Sequence, residues 1–272
     1  MSDRIKLARA DLHFYEEPII SGTRGSGAIF FSGCSLGCVF CQNREISHGG
    51  FGEYVSEGEL ADIMLRLYGR GAHNINLVTP THFVPSIAGA LTEARKRGLE
   101  IPVVYNTSSY ESASCMEMLS PLIDVYLPDL KYHTKKSAGR YSYAEDLPEI
   151  AKRNIDIMYE SRGPVCLDKD GLITSGVVVR VLLLPAHVAE AKLILKYLHT
   201  RYGDNIFISI MSQYTPISGL TPPLNRRVSI SEYAELCDYA SDIGIKNAFV
   251  QDRESADGSF TPKFDLTGVK PI

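Results

Sequence analysis

The stretch AIFFSGCSLGCVFCQN (residues 28–43) decides how the rest of the chain is read. It opens on an apolar run rich in Ile and Phe, the mark of a strand covered on both faces. The loop that follows holds three of the chain's six cysteines, Cys34, Cys38 and Cys41, spaced C-x3-C-x2-C. Thiols this close cannot pair with one another without strain, and six cysteines in 272 residues are too sparse for a disulfide scaffold. In a cytosolic chain such a cluster reads as metal or redox chemistry. Three thiolates can hold three irons of a [4Fe–4S] cluster and leave the fourth iron open to an outside ligand. An open coordination position is the arrangement of catalysis rather than of scaffolding. The alternative is zinc with His48 completing a Cys3His site, or a non-catalytic iron–sulfur protein.

Outward from this stretch, short apolar runs alternate with amphipathic ones. Further strand candidates are INLVT (75–79), PVVYN (102–106), IDVYL (123–127), VVVRVLLL (177–184) and IFISIM (206–211). Between them, Ser56 with Glu59 and Ser229 with Glu232 read as capping boxes that open helices. Apolar stripes run through Leu60, Ile63, Met64, Leu67 and Tyr68, then through Val84, Ile87, Ala88, Leu91 and Ala94, and a third through Cys115, Met118, Leu119 and Leu122. Helices are also expected over 140–160, 187–201 and 230–243, and VCLDKDGLIT (165–174) predicts a hairpin turning at Asp170-Gly171. The pattern predicts an α/β fold, a partial (β/α)6 TIM-like barrel of parallel strands with outer helices; an open doubly wound sheet is the alternative. The expected organisation is an N-terminal extension with a Gly-rich lip, SGTRGSG, over residues 1–27, a core over 28–250 and a C-terminal tail over 251–272. Either architecture puts the reactive site at the carboxyl ends of the strands.

The formal net charge is −4 and the basic clusters, Arg95-Lys96-Arg97 and Lys135-Lys136, are short. That is no footprint for nucleic acid. The longest apolar stretch, Val177–Leu184, is interrupted by Arg180, so no membrane span is expected and the location read from these bounds is cytoplasmic.

CSLGCVFC resembles the cluster motif of the radical S-adenosylmethionine (SAM) enzymes, and FFSGCSLGCVFCQNREIS (30–47) is similar to the activating enzymes of glycyl radical enzymes, such as the pyruvate formate-lyase activase. SGTRGSGAIFFSGC, CVFCQN, NLVTPTHF and LPDLKY resemble a less well understood branch of activase-like proteins. The resemblance implies one [4Fe–4S] cluster on Cys34, Cys38 and Cys41, and SAM as its fourth ligand. It implies reductive cleavage of SAM to a 5′-deoxyadenosyl radical that abstracts hydrogen, with a flavodoxin or ferredoxin as electron donor. A glycyl radical enzyme, another peptide or a small molecule is the implied substrate.

The same resemblance assigns cofactor contacts. Thr79 and Thr81, in Thr79-Pro80-Thr81-His82, stand where most relatives have Gly-Gly-Glu, so a backbone contact to the SAM amino group carries over better than a side-chain one. Asn106 replaces an activase aspartate, which puts an accompanying cation in doubt, while Ser108 can still donate to ribose or carboxylate. Asp129 and Lys131 of LPDLKY match the family's Asp-Leu-Lys. Phe40 should pack near adenine or cluster, and Gln213 with Tyr214 either touches the ligand or closes the barrel floor. Arg180 stands out on physical grounds, because a guanidinium buried among aliphatics needs an anionic partner. The SAM carboxylate is one candidate; an internal Asp or Glu is the other.

Cys115 and Cys237 fall on apolar helix faces as small hydrophobes, and Cys166 falls in the hairpin. His82 and His187 follow the second and fifth strand candidates, where acid–base work remains open.

Overall fold

The computed structural model describes residues 4–251 and 261–270. Ten strands run in chain order as β1 (Ile5–His13), β2 (Ser26–Phe31), β3 (Glu53–Val55), β4 (Ile75–Val78), β5 (Val103–Thr107), β6 (Val125–Pro128), β7 (Cys166–Leu167), β8 (Ile173–Leu182), β9 (Phe207–Met211) and β10 (Ala248–Val250). They form one sheet in the order β10-β9-β8-β6-β5-β4-β2-β1-β3, with β7 paired to β8 as the expected hairpin. From β2 to β10 every neighbouring pair on this path is parallel, whereas β1 is antiparallel to both β2 and β3. β3 and β10 are left as edges, so the partial barrel is not closed. All six expected strands are present.

The helices are α1 (Pro18–Ser21), α2 (Arg44–Ser47), α3 (Glu57–Gly69), α4 (Val84–Lys96), α5 (Ala113–Leu119), α6 (Lys135–Ser142), α7 (Leu147–Arg162), α8 (Val188–Tyr202) and α9 (Ile230–Asp242). Both capping boxes form, at the starts of α3 and α9. Alternation along the strands sorts the core into layers. Leu77, Tyr105 and Val179 face the helices, while Val104, Val125, Leu127 and Val178 face inward. Among the described residues no helix is long and apolar enough to cross a membrane.

Several expectations are corrected. The N-terminal extension before residue 28 folds onto the core, since β1 buries Ile5, Leu7, Ala8 and Ala10 against the sheet. The Gly-rich stretch 21–27 is no lip over the site: it leads into the amino end of β2, and His73 N–H donates to Gly25 O there. Residues that precede a parallel strand lie at the end opposite its functional loops. α1 instead seals that end, with Ile19 and Ile20 packed on Val104, Val125 and Val178.

The helix expected over 140–160 is two helices. Tyr143 adopts a left-handed conformation (φ 56°), and Pro148 in the first turn starts α7 afresh. In α5 the buried stripe is Met116 and Leu119, with Met118 exposed. Of the C-terminal tail, residues 252–260 and 271–272 lie outside the described residues; the rest folds back along β1, where Leu266 N–H donates to Ala8 O and Ala10 N–H to Thr267 O.

Candidate cluster and cofactor site

The cysteine loop leaves the carboxyl end of β2 through Gly33, whose φ of 99° suits glycine. A Cβ at Gly33 would lie 2.8 Å from His82 Nε2, and that nitrogen sits 2.8 Å from Ser32 O. The loop is further tied down by Gly33 N–H to Ile46 O (2.9 Å) and Val39 N–H to Tyr141 O (2.9 Å). Each sulfur has one hydrogen-bond partner. Leu36 N–H donates to Cys34 Sγ at 3.4 Å, Ser142 Oγ lies 2.9 Å from Cys38 Sγ, and Ser47 Oγ lies 3.3 Å from Cys41 Sγ.

Burial pushes the Cys34 thiol up to about 11, with Cys38 and Cys41 adding to it, and burial raises Cys38 as well against the pull of Lys131. Three sulfurs held together in this way need a strong positive partner to become thiolates, which suits an iron–sulfur cluster. Among the described residues no three His, Cys, Asp or Glu side chains converge on a position for a single metal ion. His48 Nδ1 lies 2.7 Å from Ser47 Oγ, the same hydroxyl that lies 3.3 Å from Cys41 Sγ.

The cysteines face a cavity of about 250 Å³ at the carboxyl ends of the parallel strands. Eight of the nine expected cofactor residues line it: Phe40, Thr79, Asn106, Ser108, Asp129, Lys131, Arg180 and Gln213. Thr81 does not. Its hydroxyl donates to Glu111 Oε1 at 2.8 Å, behind the strand ends. Phe40 packs edge-on against Tyr214, ring centroids 5.8 Å apart, and Tyr214 OH donates to Leu224 O at 2.6 Å. Ser108 Oγ and Gln213 Oε1 are buried with no hydrogen-bond partner in the protein. Such orphaned groups at a cavity wall are what a polar ligand would satisfy. Thr79, non-glycine with a positive φ, lines the cavity, and Ser109, also with a positive φ, donates its hydroxyl to Asp129 O beside it. Strain of this kind gathers at functional sites. His82 and His187 do not line the cavity.

Arg180 finds its anions inside the protein. Nε donates to Asp129 Oδ1 (2.9 Å), Nη2 to Asn106 Oδ1 (2.5 Å), and Nη1 lies 3.5 Å from Glu16 Oε2. Lys131 pairs with the other Asp129 oxygen. Burial alone would raise the Asp129 carboxyl, but Arg180 and then Lys131 outweigh it and hold it below the usual range. Burial would likewise lower Lys131, and Asp129 together with Cys38 more than reverses it. For Glu16 burial wins over Arg180 and the carboxyl is raised.

Against known proteins, the profile of the radical SAM superfamily matches residues 28–169, just over half of the chain. The chain belongs to the radical SAM superfamily. An uncharacterized protein of Methanocaldococcus jannaschii is 29% identical over 247 residues, 86% of this chain and 66% of that relative. The chain thus spans just under two thirds of its length. Among solved structures, Streptococcus suis SuiB aligns with a TM-score of 0.54 at 14% identity, over 80% of this chain and 45% of that one. SuiB bound to S-adenosylmethionine gives 0.54 at 14% identity, over 78% and 45%. HydG, a maturase of the [FeFe]-hydrogenase, gives 0.53 at 14% identity, over 76% and 46%. These likenesses show the radical SAM fold, with its open barrel.

Glu16 escaped the sequence reading. It lies outside the repeated βα pattern and reaches the barrel interior only because β1 and α1 fold across its amino end. The one available signal was Arg180's need for a carboxylate. Thr107, which also lines the cavity, was overlooked beside Asn106 and Ser108.

Proposed function

We propose that this chain is a radical SAM enzyme that cleaves S-adenosylmethionine reductively at one [4Fe–4S] cluster. The observation that carries it is that three cysteines line one cavity with Asn106, Asp129, Lys131 and Arg180 at the carboxyl ends of the strands, in a chain of this superfamily. Bound there, cluster and SAM would supply a 5′-deoxyadenosyl radical for hydrogen abstraction.

The chain's own residues would bind and orient. Cys34, Cys38 and Cys41 would hold the cluster. The Thr79 backbone would meet the SAM amino group, and Asn106 and Ser108 the ribose or carboxylate. Lys131 has three donors and spends one on Asp129, so it can still receive an anionic group. Arg180, already neutralised by Asp129 and Glu16, would serve mainly to hold Asn106 and Asp129 in place. Phe40 and Tyr214 would shield the reacting centre from water.

The finer reading is activation of a glycyl radical enzyme, with a flavodoxin or ferredoxin as electron donor. The motif FFSGCSLGCVFCQNREIS and a barrel left open between β3 and β10 support it, since an open barrel can admit a peptide loop. Modification of another peptide is the second reading; SuiB, a fold neighbour, has been solved bound to its precursor peptide SuiA.

The test is anaerobic reconstitution with iron and sulfide, reduction with dithionite, addition of SAM and assay of 5′-deoxyadenosine. Wild type should form it and Cys38→Ala should not. Equal product from both would overturn the assignment.

A further inference from the structure

The sulfur of Cys38 stands apart from the other two in the partner it has. Ser142 Oγ lies 2.9 Å away, and Tyr132 OH lies 2.7 Å behind Ser142 Oγ. Both side chains are almost fully buried, each residue 1% exposed. They come from opposite ends of one local unit, Tyr132 just after β6 and Ser142 at the end of α6. The backbone of α6 also grips the cysteine loop, through Val39 N–H to Tyr141 O.

Proton counting gives this chain of groups one direction. A thiolate bound to iron has no proton to give, so Ser142 must donate to it. A serine hydroxyl carries one proton, so its oxygen then accepts from Tyr132, whose hydroxyl has no other described partner. The result is an aligned relay, Tyr132 O–H to Ser142 O–H to Cys38 Sγ, in a dry setting where each bond polarises the next.

We propose that Tyr132 and Ser142 are positioning residues that set the reduction potential of the cluster through Cys38. The inference rests on the cluster reading above. One-electron reduction of the cluster adds negative charge that is shared with its cysteine sulfurs. A donor aimed at a sulfur stabilises that charge and makes the potential less negative. The donors at the other two sulfurs are weaker: 3.4 Å from a backbone N–H at Cys34, and 3.3 Å from the more exposed Ser47 at Cys41. Among the hydrogen bonds to the three sulfurs, the one at Cys38 is therefore the strongest, acting beside the charge of Lys131.

The experiment is a potentiometric series on the reconstituted full chain, poised with dithionite and mediator dyes and read by EPR of the reduced cluster. It uses wild type, Ser142→Ala, Tyr132→Phe and the double variant. At the potential where wild type is half reduced, Ser142→Ala should show about a tenfold lower ratio of reduced to oxidised cluster, which for one electron is ~59 mV more negative. Tyr132→Phe should shift the same way by less. In the Ser142→Ala background Tyr132→Phe should add nothing, because the relay is already cut; plain loss of packing would add its effect in either background.

A Ser142→Ala midpoint equal to or above wild type, with full iron and sulfide, overturns the proposal. So does a Tyr132→Phe shift of the same size in both backgrounds. If Ser142→Ala takes up no iron, the single Tyr132→Phe midpoint decides, a negative shift supporting the relay and no shift ending it. A wild-type chain that binds no iron overturns the cluster reading and the relay together, whereas a full cluster indifferent to these residues overturns the relay alone.

Discussion

Glu16 meets Arg180 across the barrel interior, Oε2 3.5 Å from Nη1, from a segment outside the parallel repeat. Its other oxygen accepts from Asn76 Nδ2 at 2.9 Å and from Asn106 Nδ2 at 3.4 Å. One carboxylate thus bridges β4, β5 and β8, joining the plugged end of the barrel to the cofactor cavity.

The two partners should not be equivalent to mutation. Arg180→Met takes the shared cation from Asp129 and Glu16, leaving Asp129 with Lys131, and breaking a buried pair from one side costs about 3–5 kcal/mol. Glu16→Gln leaves Arg180 on Asp129 and keeps polar contacts to Asn76 and Asn106, so its cost is about 1–3 kcal/mol. Urea unfolding of the metal-free chain measures both; equal losses would mean that Glu16 carries as much of Arg180's charge as Asp129 does.

Removal of residues 1–21 should abolish cooperative folding. Full burial of one large aliphatic side chain stabilises by about 1.5–3 kcal/mol, and the deletion loses Ile5, Leu7, Ile19 and Ile20 at once. That sum is comparable to the roughly 5–15 kcal/mol of a whole domain. The measurement is thermal unfolding followed by circular dichroism, and a sharp transition in the truncated chain would show that the parallel repeat stands alone.

Glu111 makes stability depend on pH. Burial raises its carboxyl, opposed by the Thr107 and Thr81 hydroxyls and by Asn154. Above the ordinary value near 4.5, the unfolded chain has lost this proton while the folded chain still holds it. Stability contributed here therefore falls as pH rises through that window and is fully present only below it. Glu111→Gln should flatten the slope, read as urea midpoints from acid to neutral pH; an unchanged slope would place it on Glu16 and Glu17, also raised by burial.

Gly33→Ala should disturb the cysteine loop without unfolding the barrel. The new Cβ meets His82 Nε2 at 2.8 Å and keeps a φ of 99°, a local strain of about 1–3 kcal/mol. Iron uptake should fall while the thermal transition moves little. His82→Ala in the same chain should relieve the collision and restore part of the iron, and no restoration would assign the loss to the backbone alone.

What the sequence made legible follows from how local each signal is. Six of the seven parallel strands are largely apolar runs and the cysteine trio sits within eight residues, so both can be read directly, whereas the short β10 gives no such run. β1 could not: Lys6, Arg9, Asp11 and His13 break its alternation, and a bulge between Leu7 and Arg9 shifts its register. The resemblance assigns Thr81 a cofactor contact because Thr79-Pro80-Thr81-His82 stands where most relatives have Gly-Gly-Glu, but the chain turns into a one-turn helix at Thr81 and points its hydroxyl at Glu111. Glu16 is invisible in the sequence because the hydrogen-bond and ion-pair partners of its carboxylate are all 60 or more residues away, in three different strands.

The proposed chemistry turns on a cluster held by three cysteines with one iron open to SAM. The most direct measurement is EPR of the dithionite-reduced, reconstituted chain as SAM is added. A signal that changes shape on SAM addition, in a preparation with four irons per chain, is the expected result. A four-iron cluster whose signal ignores saturating SAM would contradict the open coordination position and, with it, the proposed chemistry.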